Sequence, residues 1–442
     1  MFSQTPTQPS GSGSGSDPYL IGSLSELHWI SKQVFEGADW SVGKFFLQTN
    51  NIDASQTANW TSGWIPIGGR TDASSSSPSD QTRQSFKGTY EGNNFSISNL
   101  YINNSLNYNG LFGSILSAKI SNLHLIEVAI TTSGIKTGGL VGYSRSGKIF
   151  NTSVSGTVTS TGQSVAGLVA QNDNGTIEAS YSTVNVVQTN SSVSGVLAAL
   201  NQGTIKNCYS NGTIKGLDRF GGLIGDNSKA GITVTNSYSN SEVSLYSGSG
   251  SKFGGLVGNL HTGTISNSNY WNSTNTVSGV GYINSDQIFS AVARSNDEIK
   301  LQSNFQGWDF ENETVNGTED VWKIGSDGYP TILNKGNVWT GAIDDNWNSS
   351  LNWSLGEIPN GTGLSAINVV TIPTGLSTYP SISSTINKRA YSIKIENNAI
   401  DSSNYNFDSG TLIIINNPFT VSITGTDSDN VVSNTDVVTI TA

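Results

Sequence analysis

The chain has 442 residues, of which 12% are charged and 50 are glycine, and its formal net charge is −11. A chain of this length holds two or three domains. Its acidic balance argues against nucleic acid and anionic membrane surfaces as partners. The one cysteine, Cys208, excludes an internal disulfide framework and is predicted to be a small packed residue. No apolar run approaches the ~20 residues of a membrane-spanning segment.

The first residues predict a short leader followed by a helix. Residues 1–4 indicate the remnant of a cleaved signal peptide, and residues 10–16 (SGSGSGS) are typical of a flexible Gly/Ser linker. Ser23 and Glu26 have the spacing of a capping box. They precede an apolar pattern that predicts one amphipathic helix ending near Gly37, with apolar positions at Leu24, Leu27, Ile30, Val34 and Phe35.

A long loop separates two early β segments at residues 44–50 and 86–102. Residues 53–85 exceed a compact turn, and long loops on a rigid scaffold often carry binding sites. The candidate ligand-binding residues in this loop are Trp60, Trp64, Arg70, Asp72 and Arg83. The alternative is a mobile surface insertion without a ligand.

A five-residue motif recurs between residues 108 and 270. Its copies are NGLFG, GGLVG, AGLVA, GVLAA, GGLIG and GGLVG, and the glycines taken as equivalent are Gly110, Gly139, Gly167, Gly195, Gly222 and Gly255. Their spacings of 29, 28, 28, 27 and 33 residues predict a solenoid or a propeller, since those architectures repeat at this kind of period.

A second motif, TIKNCYS in its clearest copy, keeps step with the first. Its aliphatic residues are Ile120, Ile149, Ile177, Ile205, Val234 and Ile265, and two positions later come Asn122, Asn151, Ala179, Asn207, Asn236 and Asn267. Side chains two apart on a strand share a face, so both columns are predicted on one side of a sheet. Stacked amides can hydrogen-bond along such a column.

The repeat length favours a β-helix. Three short β runs in each repeat, with glycine at the joins, fit one turn that rises by roughly 4.8 Å. Parallel crossovers are right-handed, so the solenoid should be right-handed too. A propeller blade, the alternative, needs four antiparallel strands and ~40 or more residues.

The GLVG and TIxNSYS motifs resemble the GLUG repeat of bacterial surface proteins, from about Asp17 to Leu333. The resemblance implies a right-handed parallel β-helix on an exported protein. It also implies that the N-terminal helix caps the first turn and that the WIPIG motif at residues 64–68 closes an early turn. The family's ending has the GWDF, VWxI and GYP motifs, whose residues Trp308, Trp322 and Tyr329 are predicted to plug this end. These motifs carry no catalytic signature.

The last part of the chain has a different pattern. Residues 337–442 lack the GLVG motif, and residues 339–353 resemble the openings of β domains appended to surface proteins of Gram-negative bacteria. Short strands between turn signals predict a small β-sandwich or a second short β-stack. The predicted domains are therefore residues 1–16, a leader and linker; 17–336, the capped β-helix; and 337–442, a small β domain. The fold class is all-β.

The sequence offers little catalytic chemistry. Polysaccharide hydrolysis uses two carboxylates about 5 to 9.5 Å apart, which on neighbouring turns would share a column. The repeat acids share none: they are Glu127, Asp173, Glu178, Asp218, Asp226 and Glu242. Asp218 and Asp226 are predicted to be solvated turn residues. The histidines, His28, His124 and His261, form no triad with a nucleophile.

No cofactor is predicted, with calcium as the one ion considered. Asp427, Asp429 and Asp436 could supply oxygen ligands, as could Asp344 and Asp345, but neither set has the spacing of a known calcium loop. Solvated turn acids are the favoured interpretation.

The leading hypothesis is an exported, non-catalytic β-helix protein on the bacterial cell surface, acting as an adhesin, a stalk or a subunit of a surface assembly. Its partners would be surface proteins or glycans, and not nucleic acid. Alternatives are a carbohydrate-binding module, a polysaccharide-degrading β-helix enzyme, or a subunit of an outer-membrane complex. Export through the type IX route follows from the resemblance alone.

Overall fold

The computed structural model describes residues 4–15, 17–37, 39–69, 84–190, 192–247, 252–266, 269–274, 278–284, 287–313, 315–317 and 320–333, and the backbone of seven later strands. It forms two compact units. The first comprises Met1–Gly11, Tyr19–Asn312 and Asp320–Leu333, and the second comprises Ser12–Pro18, Glu313–Glu319 and Asn334–Ala442.

The first unit is a parallel β-solenoid of about nine turns, which confirms the predicted fold class. Its thirteen-stranded sheet contains Tyr19–Ile21, Phe45–Gln48, Thr89–Glu91, Phe112–Leu116, Lys119–Ser121, Val141–Arg145, Lys148–Phe150, Val169–Glu178, Ala198–Lys206, Ile224–Thr235, Val257–Ile265, Val280–Ile283 and Ile288–Phe289. Its twelve-stranded sheet contains Ile52–Asp53, Ser96–Ser98, Tyr101–Asn104, His124–Thr132, Ser153–Ser160, Tyr181–Gln188, Tyr209–Ser210, Thr213–Gly216, Tyr238–Ser239, Glu242–Leu245, Tyr270–Asn272 and Val292–Arg294. A five-stranded sheet contains Thr137–Gly138, Val165–Ala166, Val193–Gly195, Arg219–Gly221 and Lys252–Gly254.

Successive turns stack in register through the repeat motifs. The Leu140 amide donates to the Leu168 carbonyl at 3.1 Å. Ile149 pairs with Ile120 on one side and Ile177 on the other, and this column continues through Ile205, Val234 and Ile265. All these side chains lie in one apolar core. The predicted stacking of one repeat on the next is confirmed.

The fourth copy of the glycine motif is offset by one residue from the predicted alignment. Gly195 pairs with Ala166 and with Gly221, so Val196 occupies the position of Gly167 and Gly222. Equivalent positions 139, 167, 196, 222 and 255 are therefore 28, 29, 26 and 33 residues apart. Leu197 fixes this register because its inward side chain stacks between the leucines of the adjacent turns.

The predicted asparagine column lies at a corner, one residue beyond the strand. Its members Asn122, Asn151, Ala179, Asn207 and Asn236 have φ angles between 47° and 53°. Asparagine tolerates this left-handed conformation better than most residues, and this explains its recurrence. The amide of Asn151 donates to Asn122 at 2.6 Å, but Ala179 ends the ladder on the next turn. The expectation that the column shares a strand face with the isoleucines was wrong.

Other amide ladders fill buried positions that the motifs did not predict. The Asn172 amide donates to Asn201 at 3.0 Å, and Asn201 donates to Asn227 at 2.8 Å, with all three side chains fully buried. Elsewhere, Asn272 donates to Asn240 and Asn240 to Asn211. Each side-chain amide forms a hydrogen bond with an amide one turn away, so burying these polar groups costs little free energy.

A helix, Leu24–Glu36, covers the first turns, as predicted. The Ser23 side chain accepts from the Glu26 amide, and the Glu26 carboxylate accepts from the Gly22 amide at 2.8 Å. Leu27 and Ile30 lie in the solenoid core, but Phe35 is exposed. The short 3-10 helices are Ser55–Asn59, Glu298–Lys300 and Gln302–Asn304.

The Gly/Ser segment has a defined conformation where the sequence predicted a flexible linker. The amides of Ser12 and Gly13 both donate to the Asp17 carbonyl, and the Asp17 amide donates back to Ser14. A carboxylate oxygen of Asp17 also accepts from the Ser12 amide at 2.8 Å. These bonds connect Ser12, Gly13 and Ser14 to Asp17.

A column of tyrosines on the outer side of the twelve-stranded sheet is mostly buried under residues 295–312 and 320–333. Tyr181, Tyr209, Tyr238 and Tyr270 are register partners on successive turns. The rings of Tyr181 and Tyr209 stack at 4.6 Å with an interplanar angle of 8°. Val184 lies three positions after Tyr181 on the same strand and points into the core. Residues at an odd spacing lie on opposite faces, so the Tyr181 ring and its partners point outward.

Residues 295–312 and 320–333, here called the cover, carry the aromatic residues that were predicted to plug the end of the solenoid. Trp308 and Trp322 are fully buried, but they pack on the outward tyrosines in a cluster separate from the main core. The Tyr238 hydroxyl donates to the Pro330 carbonyl at 2.6 Å, and Trp322–Ile324 pairs antiparallel with Pro330–Ile332. The plug prediction was wrong because the GWDF and VWxI residues fold back along the side of the solenoid.

The second unit is also β-structured in its described strands. Asn337–Val338, Val369–Ile372 and Ser392–Ile395 pair in parallel, as do Lys388–Ala390 and Leu412–Ile414. Thr420–Thr424 pairs antiparallel with Val437–Thr441. A small C-terminal β domain is therefore present, as predicted.

Asn201→Ala should destabilise the solenoid strongly. It removes one hydrogen bond each from the buried side chains of Asn172 and Asn227, and each buried polar atom that loses its partner costs about 1–3 kcal/mol. The adjacent Gln202 points outward, so Gln202→Ala is a matched control that should cost less than about 1 kcal/mol. Urea unfolding followed by circular dichroism measures both. Equal loss in the two variants would contradict a structural role for the ladder.

Trp308→Ala should release the cover without unfolding the solenoid. The Trp308 ring lies 4.2 Å from that of Trp322 and 4.7 Å from that of Phe305, and its loss should cost about 3–5 kcal/mol. Trypsin should then cut at Arg294, Lys300 or Lys323 at a concentration that leaves the wild-type protein intact. Trp29→Ala, within the N-terminal helix, is the control that should not expose these sites. Cover cleavage at the wild-type rate in Trp308→Ala would show that Trp308 does not hold this segment.

Candidate functional site

The loop predicted to bind a ligand has its two tryptophans in the core. Trp64 is fully buried, and its indole nitrogen donates to the Leu111 carbonyl at 3.1 Å. Trp60 is 7% exposed, and its ring lies 4.8 Å from that of His28 on the helix. Burial lowers the pKa of His28, which favours its neutral form. Both rings therefore pack the helix onto the first turns and offer no open face to a sugar.

The other residues predicted for binding or metal coordination lie outside the described residues. These are Arg70, Asp72 and Arg83 in the loop, and Asp344, Asp345, Asp427, Asp429 and Asp436 in the second unit. Their roles stay predictions. Within the described part of the chain, no group of three or more histidine, cysteine or acidic side chains is placed to hold a metal ion.

The register of the sheets separates the acidic residues of the repeats. Asp173 pairs with Arg145 and Gln202, Glu178 pairs with Phe150 and Lys206, and Asp226 pairs with Leu200 and Asn259. Among the described residues of the thirteen-stranded sheet, no two carboxylates are therefore register partners.

Asp226 was predicted to be a solvated turn residue, but it is buried in the structure. It is 2% exposed, and its carboxylate accepts from Arg219 at 3.0 Å and from the Asn259 amide at 3.0 Å. Arg219 also pairs with Asp218 at 3.3 Å. The arginine offsets the cost of burying the Asp226 charge, which an isolated carboxylate could not sustain.

Cys208 and His124, the cysteine and the first histidine of the repeats, are both in environments that disfavour their charged forms. Cys208 is fully buried, its thiol faces the Lys206 carbonyl at 3.1 Å, and burial raises its pKa far above the usual range. A thiol held neutral in this way is a poor nucleophile. His124 contacts the Ser153 hydroxyl at 2.9 Å, and burial lowers its pKa.

A polar and aromatic cluster lies on the outer side of the thirteen-stranded sheet. The rings of Tyr108 and Tyr143 stack at 6.1 Å, and the Lys136 ammonium lies 5.1 Å and 4.1 Å from their centroids. The Tyr143 hydroxyl donates to Asp173 at 3.1 Å. Burial lowers the pKa of Lys136 to about 8, while the nearby Asp173 carboxylate opposes this shift. Burial, together with Asp173, raises the pKa of Tyr143 to about 12.

This cluster continues along the sheet as columns of hydrogen-bonding side chains. Tyr143 has Gln171 as its register partner, and the Gln171 amide donates to Gln202 at 3.0 Å. A parallel outer column contains Thr89, Lys119, Lys148, Thr176 and Thr204. We call this surface, from Thr89 to Thr204, the outer polar face. The sequence motifs did not reveal it because its side chains vary from turn to turn.

Glu91 is a fully buried carboxylate at the corner beside the asparagine ladder. Its oxygens accept from Ser121 at 2.7 Å, from the Asn122 amide at 2.7 Å and from the Asn93 backbone at 2.9 Å. Burial raises the pKa of Glu91 to about 7, because these hydrogen bonds only partly replace the water that the charged form would have.

Comparisons with known proteins support the fold and leave the family open. No protein-family model matches the chain, so membership of the GLUG family stays a prediction. Halomucin from Haloquadratum walsbyi is 34% identical over 154 residues, which are 34% of this chain and 2% of halomucin. The chain therefore corresponds to a very small part of that protein.

A crystal structure of a candidate immunoglobulin A1 protease from Bacteroides ovatus matches the chain with a TM-score of 0.52 and 18% identity. The match covers 73% of this chain and 94% of that protein. At this identity the likeness shows the fold alone. In the described residues, no helix is long and apolar enough to cross a membrane.

Glu91→Gln should remove part of the pH dependence of stability. The folded pKa of about 7 is above the ordinary value of 4.5, so protonation favours the folded state. The contribution of Glu91 protonation to the free energy of unfolding is fully present below pH 4.5 and is lost as the pH rises through 7. The loss amounts to on the order of 3 kcal/mol. Glutamine mimics the protonated acid. The variant should therefore match the wild-type protein near pH 4 and exceed its melting temperature near pH 8.

Glu127→Gln is the matched control, since Glu127 is exposed. Its melting temperature should follow the wild-type pH dependence. If the melting temperature of Glu91→Gln changed with pH as that of the wild-type protein does from pH 4 to pH 8, Glu91 would have to titrate near its ordinary pKa.

Proposed function

We propose that this chain belongs to an exported protein of the bacterial cell surface and acts there without catalysis, as an adhesin, a stalk or a subunit of a surface assembly. The observation that supports the proposal is the location of the motif residues in the structure. The motif leucines and isoleucines lie in the core, Asn122 and Asn151 form an amide ladder, and Tyr209, Tyr238 and Tyr270 lie under the cover. The repeat thus serves rigidity, which suits a structure that presents a surface at a distance.

The comparisons add support of two kinds. The described sheets follow the fold of the Bacteroides ovatus protein, and the similarity to halomucin falls on about a third of this chain. The GLVG and TIxNSYS motifs support a GLUG-type surface protein of a Gram-negative bacterium. Export with a cleaved signal peptide, the type IX route and an outer-membrane complex belong to the same proposal.

Surface display can be tested on intact producer cells. Brief protease treatment should remove the protein from the cells, while a cytoplasmic marker enzyme remains complete. Lysed cells give the control for protease sensitivity. A protein that stays protected until lysis would overturn the proposal.

Carbohydrate binding is the second candidate function, and the outer polar face favours it. Tyr143 is partly exposed, with Tyr108 stacked against its ring and Lys136 over it, and its register partner Gln171 donates to Gln202. Aromatic rings and planar amides are common in sugar-binding surfaces because one packs on the C–H face and the other bonds hydroxyl groups. Release of new reducing ends from a bound polysaccharide would instead favour the depolymerase alternative.

A further inference from the structure

The charge of the chain is distributed unevenly. The whole protein has a formal net charge of −11, but residues 84–172 contain five lysines and arginines and only two acids. Of those acids, Glu91 is buried and Glu127 lies on the twelve-stranded sheet. The early turns of the solenoid therefore carry a local positive charge on a protein that is acidic elsewhere.

The register places these cations on one surface. Lys119 and Lys148 are direct partners on adjacent strands, about 4.8 Å apart along the solenoid. Arg145 points outward from the strand Val141–Arg145, because its neighbour Ser144 is buried. Lys148 and Arg145 are exposed, and neither forms an ion pair within the described residues. Lys148 and Arg145 are therefore accessible to a negatively charged ligand.

The groups beside the cations suit a sugar. Tyr143 lies in the same strand as Arg145, and Lys136 lies over its ring. Gln171 and Gln202 follow on the next turns, and Thr176 and Thr204 continue the lysine column. Two acids lie on this outer side. The Asp173 carboxylate accepts from Tyr143 and from the Asn174 amide at 2.7 Å, and Glu178 forms an ion pair with Lys206 at 3.1 Å.

We propose that the outer polar face binds an acidic polysaccharide, with Lys119, Arg145 and Lys148 on its carboxylate or sulfate groups and Tyr143 against a sugar ring. A linear polymer suits this face because stacked turns repeat the same outward positions along the solenoid axis. The inference deepens the proposed surface role by naming the class of ligand.

Charge and chemistry favour a glycan over a nucleic acid. A duplex carries a negative charge every ~1.7 Å, and the overall charge of −11 would repel so dense a polyanion. An acidic polysaccharide carries its charges farther apart and offers hydroxyl groups to the glutamine and threonine columns.

The test measures binding of the full chain to polygalacturonate, a sulfated polysaccharide, neutral dextran and double-stranded DNA by biolayer interferometry. The key variant is Lys119→Thr/Lys148→Thr. Threonine already occupies this column at Thr89, Thr176 and Thr204, so the variant should fold normally. The matched control, Lys32→Gln/Lys215→Thr, removes the same charge from exposed sites on the helix and the twelve-stranded sheet. Tyr143→Phe and Tyr143→Ala separate the hydroxyl from the ring.

We expect binding to polygalacturonate or the sulfated polysaccharide but not to dextran. The lysine-pair variant should weaken it by about tenfold, as expected for two exposed charge contacts. The control should bind like the wild-type protein, and Tyr143→Ala should weaken binding more than Tyr143→Phe.

Other outcomes would overturn the inference. They are no binding to either acidic polysaccharide, equal losses in the lysine-pair variant and its control, or DNA binding as tight as glycan binding. The surface-display experiment separates this result from the proposed function. A displayed protein that binds no acidic glycan would retain the surface role and lose this ligand.

Discussion

Parallel pairing of each turn with the next is the constraint on which this structure depends. Once Leu140 bonds to Leu168, every residue of a turn has its neighbour fixed about one repeat away. Polar residues can then be buried, because an identical residue on the next turn supplies the missing partner, as Asn201 does for Asn172. A break in the column, such as Ala179 below Asn151, stops the ladder but leaves the backbone pairing intact.

The same constraint separates the sides of the solenoid by chemistry. Inward positions repeat leucine, isoleucine and asparagine. Outward positions on the twelve-stranded sheet repeat tyrosine, and the cover buries most of that column. Outward positions on the thirteen-stranded sheet vary, with lysine, arginine, glutamine and threonine on different turns. Variation is tolerated there because most of these side chains are partly or fully exposed and do not have to fit a close-packed core.

The buried groups of the N-terminal turns serve packing more than recognition. Trp60 and Trp64 join the helix to the first turns, and Glu91 ends the corner ladder that begins at Asn151. Burying Glu91 raises its pKa, so the stability of these turns depends on pH near neutrality.

The sequence by itself determined the β-solenoid, the capping helix and the isoleucine column, because a period near 28 residues and a capping box are local patterns. It could not assign the register of the fourth glycine motif, since GVLAA permits two alignments and only the inward position of Leu197 selects one. It could not place Trp308 and Trp322, because an aromatic residue can cover an end or a side with equal local preference. The tyrosine column and the outer polar face were decided by tertiary structure, since both consist of side chains that meet only after distant turns have stacked.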